Sequence, residues 1–583
     1  MRRARPVLML AAVAFAAGAV LGAHNSTPAS YALADQFVTA WTRREYASMY
    51  SDLAASSRRA TSVGEFASDY REALTTATAT RLQMTGKARG VRDGVEVPVR
   101  VYTRLFGTLS LDFTLSTAAE AAGTRVLWSR SLSFPGLHRG ELLSRSTSLP
   151  ERAPLLARDG SVLAEALPAQ TDSATGTEAT RNSPLGVAAD AVLGSVGPVP
   201  AARRQALEEQ GVPADATVGL SGLELAFDDR LRGTPGGELL AGGRLLAYAK
   251  PRAAPPVRTS VSPALQRAAV SALGGQLGGI VAMQPSTGQV LAVAGLGLDG
   301  LQPPGSTFKM ITTTGVLEAK LAGEHTVFPY ATYATLDGVK LNNANGEECG
   351  GSLELAFAVS CNSVFSPLGV KLGAGRLVAM AERFGFNHEP GIAGAAESTL
   401  PPAGEIQGEL DVGSTAIGQG QVLASPLEMA TVAATVADGG RRPQATFSLG
   451  PSQRGARAMS ASVARTMRHL MIAVVREGTG TAAAIPGVTV AGKTGTAELK
   501  SACTSAPSTE TSSSEAKEAS KEGCQGSSAE SEAANTDAWF AAFAPALHPR
   551  VVVCVLLVKD GAGGATAAPV AREVIEAALQ AEH

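Results

Sequence analysis

Pro303-Pro304-Gly305-Ser306-Thr307-Phe308-Lys309-Met310-Ile311 reads as the opening of a helix. The prolines suit the approach to a first turn, and the residues after Ser306 continue in helix-compatible apolar sequence. Ser306 and Lys309, at i and i+3, then share one face of that turn and can touch. A serine hydroxyl is a poor nucleophile until a neighbouring base takes its proton. An amine takes that role only when burial or nearby cations lower its pKa from about 10.4. A second lysine would help, and a helix N-terminus both disfavours the ammonium form and stabilises a developing oxyanion. Alone, such a pair is more often an exposed serine and lysine on an ordinary surface helix.

Two later stretches change that balance. Ser360-Cys361-Asn362 follows an apolar helical segment, residues 353–359. Lys493-Thr494-Gly495-Thr496 lies in β-forming sequence, with Trp539-Phe540-Ala541 opening the next strand. Singly, Ser360 and Asn362 suit a cap or turn, and Lys493 suits a strand-edge charge. Together, S-x-x-K, S-x-N and K-T-G, in this order and about 50 and 130 residues apart, resemble the triad of the penicillin-binding protein and serine β-lactamase superfamily. Residues 279–288, 416–421 and 425–430 are similar to the transpeptidase domain around its central sheet, so the resemblance covers residues 255–583. Gly219-Leu220-Ser221-Gly222-Leu223-Glu224 and residues 155–163 resemble the linker module of class B penicillin-binding proteins. The first domain resembles, more weakly, the nuclear-transport-factor-like domain of methicillin-resistance-type members.

The resemblance implies roles residue by residue. Ser306 attacks a D-alanyl-D-alanine carbonyl and is acylated, Lys309 is its base, and Ser360 relays a proton to the leaving amine. Asn362 orients Lys309 and the donor peptide, Lys493 supplies positive charge near Ser360, and Thr494 binds the substrate carboxylate. Gly495 leaves room for close backbone approach, and the amides of Ser306 and Thr496 form the oxyanion hole. No cofactor or metal is implied. The expected partners are peptidoglycan stem peptides, β-lactams and other cell-wall synthesis proteins.

The fold class expected is a multidomain α+β chain in four parts. Residues 1–24 form a cytoplasmic tip and membrane anchor, 31–147 a nuclear-transport-factor-like α+β domain, and 148–255 a dimerisation/linker module. Residues 256–583 form a serine β-lactamase/transpeptidase-like domain, an antiparallel sheet with helices. In the first domain a helix over residues 33–49 and further helical sequence to about residue 76 precede strands at 95–105 and 109–115. In the last, a helix at 263–273 leads into strands at 279–284 and 289–294, and an apolar run at 551–558 suits a buried strand. Residues 500–537, rich in Ser, Thr, Glu and Ala, form an insertion with no assigned secondary structure.

Of the 583 residues, 45% are apolar and 17% charged, so large cores are feasible. Lys plus Arg number 50 and Asp plus Glu 52, a net charge of −2, which gives no field for nucleic acid, and none is expected as a partner. Arg2, Arg3 and Arg5 precede an uncharged run over residues 7–23, whose ~26 Å as a helix nearly spans a hydrocarbon core. The run reads as an anchor that places the body outside the cytoplasm. Ala17 and Ala19 offer the alternative, a cleavage site. Of five cysteines, Cys503 and Cys524 bracket a polar loop and are the candidate pair, while Cys554 suits a buried thiol.

Two glycine-rich patterns mislead. Residues 487–494 fit a phosphate loop, but β-forming sequence continues past Lys493 where a helix should begin. Residues 295–300 fit G-x-G-x-x-G, but Pro303 and Pro304 follow. A deacylating hydrolase is the rival reaction. Residues 397–401 imitate the glutamate site of class A β-lactamases but end in Pro401, which favours a plain loop. A long portion between membrane and site suits a cross-linking enzyme better than a drug hydrolase. A β-lactam sensor is the rival of another class, and it would be expected to carry a cytoplasmic output segment.

Overall fold

The computed structural model describes residues 28–167, 180–450, 455–498 and 535–581. The anchor expected at 7–23 and the cysteines at 503 and 524 lie outside the described residues, as does most of the insertion. Among the described residues no single helix is long and apolar enough to cross a membrane.

The first region packs helices on a curled sheet. Instead of one helix over 33–49 there are two, Ala29–Thr42 and Tyr46–Ser51. The chain breaks between them at Arg44, whose φ of +59° no helix accommodates. Helix Val63–Thr76 opens with a reciprocal cap in which Ser62 and Glu65 satisfy each other's backbone amides. Strands Gly94–Thr103 and Thr108–Glu120 lead a five-stranded sheet. In the first of these, Val95, Val97, Val99 and Val101 all point inward at period two onto Phe37, Trp41, Phe66 and Phe113.

The second region joins this body to the last through small sheets. Leu155–Leu156 and Val162–Ala164 form the expected hairpin, and Leu155–Leu156 also pairs in parallel with Val257–Arg258. Its interior holds Arg152, Arg181, Glu224, Asp228 and Arg232, all buried.

The last region is built on a five-stranded antiparallel sheet in the order Val290–Gly295, Gly278–Met283, Val551–Leu557, Thr536–Ala544, Ala491–Glu498. Alternation divides its side chains between two cores. Ile280, Phe540 and Val553 meet helices Pro263–Leu273 and Ala567–Gln580, whereas Val281, Trp539 and Cys554 meet the helical half that includes Pro426–Ala437. The strand Thr536–Ala544 begins two residues inside the expected insertion, and Asp537 there is buried.

The two sheet edges differ. On Val290–Gly295, the Val290 N–H donates to Thr446 O (2.8 Å) and the Leu291 carbonyl accepts from Ser262 N. The fully buried Gln266 takes both backbone groups of Val293, donating to its carbonyl and accepting from its N–H. The opposite edge, Ala491–Glu498, lies against the turn that carries Ser306.

Candidate active site

Where the sequence reading opens an α-helix at Ser306, the structure has a 3₁₀ turn, Gly305–Phe308, and the α-helix Lys309–Glu318 begins after it. The tighter winding matters, because residues i and i+3 eclipse in a 3₁₀ turn. It sets Lys309 Nζ 2.9 Å from Ser306 Oγ. The turn is anchored from below, since Gly305 N–H donates to Gly418 O (3.0 Å). Gly418, at φ +75°, has no room for a side chain, as a Cβ would lie 2.0 Å from Gly305 O.

Ser360 ends the short helix Leu353–Ala358. Its N–H donates to Phe357 O (3.2 Å) and the Cys361 N–H to Ala356 O (2.9 Å), the bond pair of a helix stop that glycine usually serves. Serine occupies it at φ +63°, a left-handed conformation that costs about 1–2 kcal/mol. Asn362 immediately begins the next helix, Asn362–Leu372. Its Nδ2 donates to Asn342 O (2.9 Å), which turns Oδ1 toward Lys309 Nζ at 2.7 Å. Lys309 Nζ also lies 2.7 Å from Ser360 O and 3.3 Å from Ser360 Oγ.

Lys493 comes from the edge strand. Its Nζ donates to Ser360 Oγ (2.9 Å) and to Thr494 O (3.1 Å). Thr494 Oγ1 lies 2.6 Å from Thr479 Oγ1, and Thr496 Oγ1 accepts from Gly563 N (3.4 Å). A Cβ at Gly495 would fall 2.7 Å from Pro304 O, so a glycine here lets the strand close on the Ser306 turn.

Both lysines are fully buried, and among the described residues no carboxylate lies within ion-pair distance of either. Burial first, and the neighbouring Lys493 second, hold Lys309 well below the ordinary lysine value. Burial pulls Lys493 down to about 7. The Ser360 carbonyl and Asn362 Oδ1 can only accept hydrogen bonds. A neutral Lys309 therefore spends its two hydrogens on them and keeps its lone pair for the hydroxyls. That arrangement is a poised base.

Ser306, Lys309, Ser360, Asn362 and Lys493 come together through side-chain contacts, whereas Thr494, Gly495 and Thr496 meet the others through backbone and strand. Two features were not read from the sequence. Thr479 sits between two glycines after helix Ala461–Glu477, and only its place beside Thr494 singles it out. A disulfide joins Cys349 to Cys361, with Cα atoms 5.8 Å apart, whereas the sequence reading drew attention to Cys503 and Cys524. Cys554 is the buried free thiol expected.

The penicillin-binding protein transpeptidase domain matches residues 278–576, and the penicillin-binding protein dimerisation domain matches residues 163–242. The chain belongs to the class B penicillin-binding proteins. Peptidoglycan D,D-transpeptidase PbpA of Mycobacterium tuberculosis is 35% identical to this penicillin-binding protein over 395 residues, 56% of this chain and 73% of that one. Its namesake from Mycolicibacterium smegmatis is 34% identical over 435 residues, 62% of this chain and 80% of that one. The solved penicillin G acyl-enzyme complex of penicillin-binding protein A from M. tuberculosis is 28% identical and covers 74% of this chain and all of that one, with a TM-score of 0.54.

Proposed function

We propose that this penicillin-binding protein is a peptidoglycan D,D-transpeptidase that works through an acyl-enzyme on Ser306 and is trapped by β-lactams as the same ester. The observation that carries the reading is a buried, unpaired amine 2.9 Å from a serine hydroxyl, with two fixed acceptors holding its hydrogens. Lys309 takes the Ser306 proton as Oγ attacks the penultimate D-alanine carbonyl, and the amides of Ser306 and Thr496 receive the oxyanion. As the C–N bond breaks, Ser360 gives its proton to the departing D-alanine amine and takes the one Lys309 holds, with Lys493 holding its hydroxyl. Thr494, braced by Thr479, takes the substrate carboxylate. An acceptor amine then attacks the ester, an amide forms, and Ser306 recovers its proton. Among the described residues no strand pairs with the outer edge of Ala491–Glu498, and that edge suits an extended peptide lying alongside it.

The division into 31–147, 148–255 and 256–583 fits this work. A nuclear-transport-factor-like domain and a linker raise the catalytic domain from a membrane held by residues 7–23, so that catalysis takes place outside the cytoplasm. Fluorescent penicillin on the ectodomain and on Ser306→Ala, followed by pentapeptide with and without an amine acceptor, tests the reading. Label on the wild type alone and a cross-linked product support it. Rapid loss of label with no cross-link would mean a hydrolase.

A further inference from the structure

The Cys349–Cys361 bond encloses one functional unit. Strand Cys349–Ser352, helix Leu353–Ala358 and Ser360 all lie between the two cysteines. Cys361 is the middle residue of S-x-N, and the residues on either side of it supply three hydrogen-bond acceptors to Lys309: Ser360 O, Ser360 Oγ and Asn362 Oδ1. Ser360 is held there against its own preference, at φ +63°, by a helix of only six residues. Such a short helix is marginal by itself. A strained serine at the end of it needs an outside hold, and both sulfurs are buried behind it, Cys361 at 1% and Cys349 at 8% exposure. On the far side, strand Cys349–Ser352 is paired to Val327–Ala331. The disulfide thus transfers the position of a sheet to the loop that grips the base.

We infer that the Cys349–Cys361 disulfide is a positioning element of the acylation step, keeping Ser360 and Asn362 on Lys309, so that the enzyme without this bond still folds and binds β-lactam reversibly but acylates slowly. The inference rests on the acyl-enzyme reading above. Reduction by a dithiol would break the S–S bond, deliver two electrons and two protons to give two thiols, and leave the reagent as its cyclic disulfide. Reoxidation by an added disulfide, such as oxidised glutathione, reverses it, and that reagent takes up the two electrons and two protons as two thiols.

The test uses the full chain as wild type, as Cys349→Ala, which removes the bond but leaves Ser360-Cys361-Asn362 intact, and as Cys349→Ser/Cys361→Ser. The variants are kept in dithiothreitol so that no new disulfide forms. Stopped-flow with fluorescent penicillin separates reversible binding from acylation. The expected result is a fall in the acylation rate constant of about ten-fold to a hundred-fold, with the reversible dissociation constant within about two-fold. The acid limb of the pH–rate profile should also move to higher pH, as water reaches an amine whose only charged neighbour among the described residues is Lys493. Acylation rate and pH profile matching wild type would overturn the inference, and so would loss of the cooperative unfolding transition in both variants, which would make the bond a plain structural staple. Should wild type itself fail to label, the transpeptidase reading falls instead.

Discussion

Two clusters of buried charge in this protein solve the same desolvation problem in opposite ways. In the linker region, Arg152 pairs with Glu224 and with Asp228, both at 2.8 Å, Arg181 pairs with Glu224 (2.7 Å), and Arg203 and Arg232 close on the second oxygen of Asp228. Burial alone would raise the Asp228 pKa, but Arg152, the Gly219 N–H and Arg232 hold it below the usual carboxylate range. In the catalytic region Lys309 and Lys493 are just as buried, and among the described residues they meet hydroxyls, carbonyls, an amide and the rings of Phe365 and Phe357, but no carboxylate. Arginine stays charged at any physiological pH and must be given anions, whereas lysine can shed its proton. Paired cations fix geometry. Unpaired ones give up their proton more readily.

Replacing Lys309 by Met tests the contrast most severely. It should cost about 10⁴-fold in penicillin acylation and leave the unfolding midpoint no lower than wild type. In the linker, Glu224→Gln should do the reverse, because it leaves Arg152 and Arg181 short of an anion inside the protein. A loss of about 3–5 kcal/mol in urea unfolding is expected, with the acylation rate of the folded fraction unchanged. A large rate effect there would mean that the two clusters are coupled.

Lys493→Met sharpens the point through pH. The folded amine titrates near 7 and the unfolded one near its ordinary 10.5. Between these values the unfolded chain holds the extra proton, so stability rises with pH, and the full penalty is present below about 7. The variant should therefore be more stable than wild type by on the order of 5 kcal/mol at pH 6, with the gap closing toward pH 10 in paired denaturant titrations. Ser360→Gly is the smallest of the four. Glycine relieves the left-handed strain and should add about 1 kcal/mol of stability, while removal of the hydroxyl between the two lysines slows acylation.

The site was legible where chemistry follows local spacing. Ser306 and Lys309 needed only three residues of turn, and Lys493 needed only a strand, so the motifs carried the family. What stayed hidden depended on contacts distant in sequence. Cys349 and Cys361 are ordinary buried residues until a helix reverses the chain between them, and a polar loop with two cysteines was the more obvious suggestion. Thr479 gains meaning only from Thr494. The left-handed turn at Ser360 could not be anticipated, because nothing in Val359-Ser360-Cys361 carries the glycine signal that such a turn ordinarily shows. Element boundaries failed for a similar reason: the break at Arg44 and the start of the strand at Thr536 are imposed by packing rather than by composition.

The unequal edges of the central sheet have a consequence for solubility. An unsatisfied strand border invites another copy to add on, and repeated addition is how sheets polymerise. Gln266, Ser262 and Thr446 occupy the Val290–Gly295 border, so any growth can proceed from one side only and stops after a single guest. A catalyst whose guest is itself an extended peptide can thus keep one border receptive without seeding fibres.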